Sequence, residues 1–196
     1  KTPEGQVTLG NLHDQEENNL RTLFDFADGS MKIKNYHDRE HFISSYPFPP
    51  YQYDLFQMAI TSLSEHNAFE GKHSSVGERS MLGVFQEVSK KLKDQKVGGL
   101  ATFDLMFEGI RTALKSSVQQ SIQIAEKNLD APFAVRVLKS LFLVKYVKGF
   151  KPSVRNIGIL LLSEFEIDQT KQRRQIEEAL SRLERETYIQ RNGEVY

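Results

Sequence analysis

The stretch FAVRVLKSLFLVKYVKGF, residues 133–150, opens the part of the chain that decides the fold. Its density of apolar residues predicts a helix buried in a protein core. Four cations interrupt it, namely Arg136, Lys139, Lys145 and Lys148. These charges, and a length below that of a membrane span, favour a domain core helix over a membrane helix.

Two further helices and a turn follow. KPSVRNIGILLLSEF, residues 151–165, predicts a shorter helix, and EIDQTKQRRQIEEALSRLERETY, residues 166–188, predicts a third helix with Asp168 as its N-cap. The Asn192-Gly193 pair then lies between alternating residues, which is a hairpin signal. Three helices and a hairpin predict a winged helix-turn-helix with a truncated β-hairpin wing, over residues 131–196.

Upstream of this unit the sequence divides into two segments. Residues 1–45 predict an N-terminal arm, with a short helix in EENNLRTLFDF and a brief strand in SMKIKNY. Residues 46–130 predict a helical, lid-like domain. This domain begins with the proline-rich, aromatic YPFPPY and ends with a long helix from about Thr102 to Leu129. The predicted fold class is mainly α.

The helix in HSSVGERSMLGVFQEV, residues 73–88, begins unusually. Its apolar stripe is Met81, Phe85, Val88 and Leu92. Ser75 and Glu78 have the spacing of a capping box, which leaves Gly77 and Arg79 unexplained. A glycine at a helix start lets an anion approach the backbone N–H groups, and an adjacent arginine adds a planar fork for phosphate oxygens. The pattern predicts that Arg79 points outward toward a phosphate, although a solvated arginine beside an ordinary cap also fits.

Composition limits the other possibilities. The 196 residues carry 26 basic and 26 acidic side chains, so overall charge gives no support to a chain that coats nucleic acid or membranes. The absence of cysteine excludes disulfides and thiolate chemistry and fits a cytoplasmic protein. No membrane span or secretory signal is recognisable. The start at Lys1 and the abrupt finish suggest a piece of a longer protein.

Charge is unequal along the chain. Residues 133–196 contain 12 basic and 8 acidic residues, a net charge of +4, which leaves 14 basic and 18 acidic residues, −4, in the rest. The candidate DNA-binding residues are Lys171, Arg173, Arg174, Arg182 and Arg191, on the third helix and the hairpin. Such residues would contact phosphates and base edges. Four glutamates on the same helix equally fit a solvated or protein-contacting face.

Several segments resemble, in order, the region after the nucleotide-binding core in the large P-loop ATPase of bacterial BREX phage-exclusion systems, the BrxC-like family. They are SYPFPPYQYDLFQMAI, GKHSSVGERSMLGVFQEV, LKSSVQQSIQIAEKNL, VRVLKSLFLVKYVKG and RNGEVY. The resemblance implies an AAA+-type ATPase whose helical lid precedes a winged helix. It also implies that Arg79 is the sensor-2 arginine, which contacts the γ-phosphate of ATP, with Gly77 beside it.

The chain itself contains no G-x-x-x-x-G-K-S/T loop, so we expect the fragment alone to be inactive. ATP and Mg²⁺ would bind the parent protein, with no cofactor in this fragment. The expected partners are double-stranded DNA, other BREX subunits and further copies of the parent ATPase, without membrane contact.

Three alternatives remain. A winged-helix DNA-binding regulator would use the helical segment only as support, and a protein–protein adaptor would dock through the same winged helix. HDREH, residues 37–41, matches the H-x-x-E-H pattern of some zinc peptidases, but its surroundings do not predict the helix that such a site needs.

Overall fold

The computed structural model describes residues 1–27, 32–71 and 78–196, and of residues 78–80 only the backbone. Within these ranges the chain is mainly helical, and its β-structure consists of isolated antiparallel bridges. The α-helices are α1 Pro3–Leu20, α2 Arg39–Ser45, α3 Tyr51–Glu65, α4 Glu78–Lys91, α5 Leu105–Ile110, α6 Ser116–Asn128, α7 Pro132–Val144, α8 Val154–Leu160 and α9 Gln169–Arg185. None of the helices in the described ranges combines the length and apolar character needed to cross a bilayer.

The N-terminal arm differs from its prediction. A helix of 18 residues, α1, replaces the short helix expected over EENNLRTLFDF. Thr2 caps it by accepting a hydrogen bond from the Gly5 N–H, and Pro3 occupies its first position, where a missing N–H costs nothing. The strand expected over SMKIKNY is absent from its described part, residues 32–36, which form no β-bridge.

YPFPPY forms a packed connection between α2 and α3, as predicted. Phe48 and Tyr51 are buried, and the Tyr46–Pro47 peptide bond is cis. The apolar face of α3 includes Leu55, Ala59 and Leu63, all fully buried. These side chains anchor α3 in the core, and the buried Phe48 and Tyr51 anchor the YPFPPY connection that precedes it.

The prediction of a single helix from Thr102 to Leu129 is wrong. The chain forms α5, a 3₁₀ turn at Arg111–Ala113, an extended Leu114 and then α6. The helix breaks because this part of the chain pairs with the residues that follow α3. The Lys115 N–H donates to the Ala68 carbonyl at 2.9 Å, and the Glu70 N–H donates to the Ala113 carbonyl at 2.9 Å. These distant backbone bonds compensate the helical bonds that are missing at the break.

The C-terminal helices α7, α8 and α9 occur in the predicted order. Ser153 and Asp168 cap α8 and α9 through their side chains, and Ile176, Leu180 and Leu183 face inward as expected. Helix α7 ends at Val144, before the predicted Phe150. At the end of the chain, one antiparallel bridge joins Asn192 to Val195 across Gly193-Glu194. Gly193, in the turn between them, has a positive φ of +65°, a backbone conformation that favours glycine.

Helix α7 lies at the centre of the fold and packs against α3, α5, α6, α8 and α9. Buried side chains before and after residue 130 form one hydrophobic cluster. Backbone bonds join the same two segments: the Leu100 N–H donates to the Ser163 carbonyl at 2.7 Å, and the Phe103 N–H donates to the Leu160 carbonyl at 2.8 Å. The lid-like segment and the C-terminal helices are therefore in extensive contact.

Candidate functional site

The predicted phosphate-sensing helix start lies mostly outside the described residues. Gly77 and Ser75 fall in the range 72–77, and the side chains of Glu78 and Arg79 are also outside the description. The backbone of α4 begins at Glu78, which makes Arg79 its second residue. The described stripe of α4 agrees with the prediction, because Phe85 and Val88 are buried and Met81 and Leu92 are partly buried.

Helix α4 is held against α5 by close packing. A Cβ atom added to Gly109 would lie 2.6 Å from Val84 Cγ1 and 2.7 Å from Val84 Cγ2, well inside van der Waals contact. Val84 itself is almost fully buried. Glycine at position 109 thus permits the approach of the two helices.

Helix α5 is in turn joined to α7 by a network of four charged residues. Lys139 Nζ on α7 lies 2.6 Å from Glu108 Oε1 and 2.8 Å from Glu126 Oε1. The Arg111 guanidinium lies 3.2 Å from Glu108 Oε2 and also forms an ion pair with Glu126. The four side chains are only 14 to 29% exposed, so solvent screens them less than a surface pair.

The network changes the protonation of its members. Hydrogen bonds from Arg111 and Lys139 outweigh desolvation and lower the pKa of Glu126 to about 2. Burial alone would raise the pKa of Glu108, but the bonds from Lys139 and Arg111 lower it. Both carboxylates therefore stay ionised at neutral pH.

A second ion pair ties α7 to the residue before α5. The guanidinium of Arg136 makes a bidentate contact with Asp104, at 3.0 Å from Nε to Oδ2 and 3.3 Å from Nη2 to Oδ1. It also donates to Thr102 Oγ1 at 3.1 Å. Because the Asp104 side chain is 5% exposed, this is a buried carboxylate with its charge matched.

The predicted DNA-binding arginines of α9 are engaged with glutamates one turn later. Arg173 pairs with Glu177 at 3.0 Å, Arg174 pairs with Glu178 at 3.1 Å, and Arg182 pairs with Glu186 at 3.2 Å. Arg173 and Arg174 remain 73% and 82% exposed. Exposed pairs of this kind are worth about 0.3–0.5 kcal/mol, so a phosphate can compete for either arginine.

A groove of about 1010 Å³ collects some of the predicted residues. It lies between the end of α1, α8, the first turns of α9 and the turn at residues 192–195. Arg173 and Arg191 line it, whereas Lys171, Arg174 and Arg182 do not. Lys171 is exposed elsewhere on α9, and Arg182 also donates to the Asp130 carbonyl at 3.2 Å.

Arg155 on α8 also lines this groove, although it is not among the candidate residues predicted from the sequence. It is exposed and forms no ion pair within the described part of the chain. Its exposure can be predicted from the sequence, because Ser153 marks the helix start and Ile157 and Leu160 mark the buried face of α8. Arg155 then lies on the solvent-facing side. Acidic residues line the groove as well, namely Asp25, Glu177 and Glu194.

Arg191 is oriented by the turn that carries it. Its Nε donates to the Gly193 carbonyl at 2.8 Å, and its guanidinium lies 5.8 Å from the centre of the Tyr196 ring. These contacts hold the arginine at the groove while it remains exposed.

The two histidines of HDREH lie in different local structures. Helix α2 begins at Arg39, so only His41 is helical, and its ring stacks on His37 with 4.7 Å between centroids. Desolvation and the neighbouring His37 lower the pKa of His41, against an opposing effect of Asp38. Within the ranges that the structure describes, no three histidine, aspartate or glutamate side chains come close enough to share a metal ion.

No protein-family model matches the chain, and no solved structure matches it significantly. The resemblance to the BrxC-like family therefore stays a prediction.

Proposed function

We propose that the chain is the lid and winged-helix part of an AAA+-type P-loop ATPase of a BREX-type phage-defence system. In this proposal α3–α6 form the lid, and α7–α9 with the turn at residues 192–195 form the winged helix. ATP and Mg²⁺ would be held by the P-loop domain of the same cytoplasmic polypeptide. Its partners would be duplex DNA, other BREX subunits and further copies of itself.

One observation carries the proposal: a continuous set of close contacts leads from α4 to the C-terminal helices. Val84 meets Gly109 between α4 and α5, and Lys139 on α7 meets Glu108 on α5 and Glu126 on α6. Helix α7 then packs directly on α9. A displacement of α4 would therefore be passed to the candidate DNA-binding face through packed side chains and ion pairs.

Arg79 would supply the nucleotide-dependent step. The start of a 14-residue helix favours anions, and a guanidinium there can donate to γ-phosphate oxygens. Hydrolysis releases the γ-phosphate from the guanidinium, and the lid can then adopt a second position. The two nucleotides would shift the lid between its positions only if each nucleotide binds the two positions with different affinity.

The proposal is tested in the complete protein that contains this chain. Its reading frame must encode a P-loop, and a frame without one rejects the ATPase function. Given the P-loop, we expect Arg79→Ala to lower ATP turnover at least tenfold, with circular dichroism and thermal unfolding unchanged. Lys90→Ala, at the exposed end of the same helix, is the matched control and should retain full turnover.

Duplex DNA binding independent of nucleotide is a second candidate function. The observation that favours it is the presence of Arg155, Arg173 and Arg191 on one groove. Arg155→Glu with Arg173→Glu should weaken binding of this chain to duplex DNA. It should also reduce the slope of log K against log salt by about 0.9 for each phosphate that the protein no longer neutralises.

The control for this experiment is Lys93→Glu with Lys96→Glu, an equal charge change at exposed positions outside the groove. Equal effects of the control and the groove variants would contradict the groove as the site. Capture of a BREX subunit by α9 without any DNA binding would favour the adaptor function.

A further inference from the structure

A second groove, of about 640 Å³, lies between the segment at residues 32–34, the exposed side of α3 and the connection between α7 and α8. Three lysines line it, namely Lys32, Lys34 and Lys148. All three are exposed, and none forms an ion pair in the described ranges. Two carboxylates, Asp54 and Glu65, line the groove too, but neither lies within 4.0 Å of a lysine nitrogen there.

A column of stacked groups, made of His66, Tyr146 and Lys145, lies beside residues that line this groove. The rings of His66 and Tyr146 are parallel within 6°, with 3.8 Å between their centroids. Lys145 Nζ lies 5.1 Å from the Tyr146 centroid. The two rings are chain neighbours of Glu65 and Val147, which line the groove, and His66 is hydrogen-bonded to Ser62, which lines it too.

The His66 ring is fixed in orientation by the end of α3. Its Nδ1 lies 2.9 Å from the Ser62 carbonyl oxygen, and since a carbonyl only accepts, Nδ1 carries the hydrogen. One face of the ring is covered by Tyr146, but His66 as a whole remains exposed. Among the residues that the structure describes, Tyr146 is the one ring that stacks on His66, so the other face of His66 can accept a further planar group.

From this arrangement we infer that the groove binds single-stranded nucleic acid. A base stacks on His66 and extends the column, while the sugar-phosphate backbone runs past Lys148, Lys34 and Lys32. With Lys145, the site carries four cations against two carboxylates. A single strand is favoured over a duplex because an aromatic platform can stack only on a base that is free of its own neighbours. This site shares no residue with the α8–α9 groove. Binding of a single strand here is a function beyond the one proposed above.

The inference is tested by fluorescence anisotropy with a labelled oligothymidylate and the present chain. Three to four phosphate contacts on a single strand give a slope of about −0.7 each, so affinity should fall about 20- to 50-fold between 50 and 200 mM salt. Lys34→Glu with Lys148→Glu should abolish most of this binding. Asp54→Asn removes a repulsive charge and should strengthen it.

Substitutions of His66 distinguish base stacking from simple charge attraction. His66→Ala should weaken oligothymidylate binding about fivefold or more, and His66→Tyr should restore it because a flat ring returns. Lys93→Glu with Lys96→Glu, an equal charge change at exposed positions outside the groove, should leave the affinity unchanged. If the double lysine variant is unfolded by circular dichroism, Lys34→Gln with Lys148→Gln replaces it.

Three outcomes overturn the inference: no oligothymidylate binding, the same loss with Lys93→Glu and Lys96→Glu as with the groove lysines, or equal affinity of His66→Ala and the unmodified chain. Binding of phosphatidylserine vesicles that depends on the lysines, with no effect of His66, would assign the groove to a membrane surface instead.

Discussion

Removal of the Lys139 ammonium should destabilise the fold, because it leaves Glu108 and Glu126 with Arg111 as their one remaining cation in the network. Methionine at this position keeps the length and the packing of the side chain. Lys139 is 14% exposed and lies 2.6 Å and 2.8 Å from the two carboxylates. Breaking a fully buried pair costs about 3–5 kcal/mol, and the partial exposure of the carboxylates reduces this to about 2 kcal/mol for Lys139→Met.

Urea unfolding at neutral pH measures the effect as a change in the free energy of unfolding. Lys127→Met is the matched control, since Lys127 is exposed on α6 and has no ion pair in the described structure. Its effect should stay within about 0.5 kcal/mol. In a double-mutant cycle, Glu126→Gln combined with Lys139→Met should cost about 1 kcal/mol less than the sum of the single changes.

The pH dependence provides a second test of the same network. The folded-state pKa of Glu126 is lowered to about 2 from an ordinary value of 4.5, so its contribution is complete above pH 4.5 and is lost as the pH falls toward 2. The difference between the unmodified chain and Lys139→Met should therefore shrink over this interval. Equal stability of the two proteins at pH 7, or a difference that does not change between pH 5 and pH 3, would refute the network.

Two further substitutions test the packing and the local signals of the fold. Gly109→Ala places a Cβ 2.6 Å from Val84 Cγ1, so it should cost about 1–3 kcal/mol in urea unfolding. Val84→Ala in the same chain should return part of that loss, and a neutral Gly109→Ala would contradict the close packing of α4 on α5. Asp168→Ala removes the side-chain oxygen that accepts from the Lys171 N–H at 3.0 Å, which should lower the free energy of unfolding by about 1 kcal/mol. An unchanged urea midpoint would show that the cap does not stabilise α9.

The sequence predicts the features of this fold that depend on nearby residues. Asp168 and Ser153 begin their helices through side-chain bonds to residues three positions on, and YPFPPY stops regular structure by its own prolines. The break at Leu114 was not predictable in this way, because it depends on hydrogen bonds from Lys115 and Glu70 that join segments far apart in the chain. Apolar periodicity continues across the break and conceals it.

The candidate site also combines features that nearby residues predict with features that depend on contacts between distant segments. Arg173 and Arg191 could be identified as exposed cations from local patterns, but their convergence with Arg155 required three elements to meet. The network of Glu108, Arg111, Glu126 and Lys139 joins residues from three segments, and in the sequence each resembles an ordinary surface charge. Pairing of these charges is visible only after α7 is placed at the centre of the fold.

The proposed function requires that Arg79 responds to the nucleotide state and thereby changes what the C-terminal helices bind. The most direct measurement is the duplex DNA affinity of the complete protein with a non-hydrolysable ATP analogue and with ADP, before and after Arg79→Ala. The account predicts that the two nucleotides give different affinities in the unmodified protein and the same affinity in Arg79→Ala. A difference that persists in Arg79→Ala, or that is absent from the unmodified protein, would contradict it.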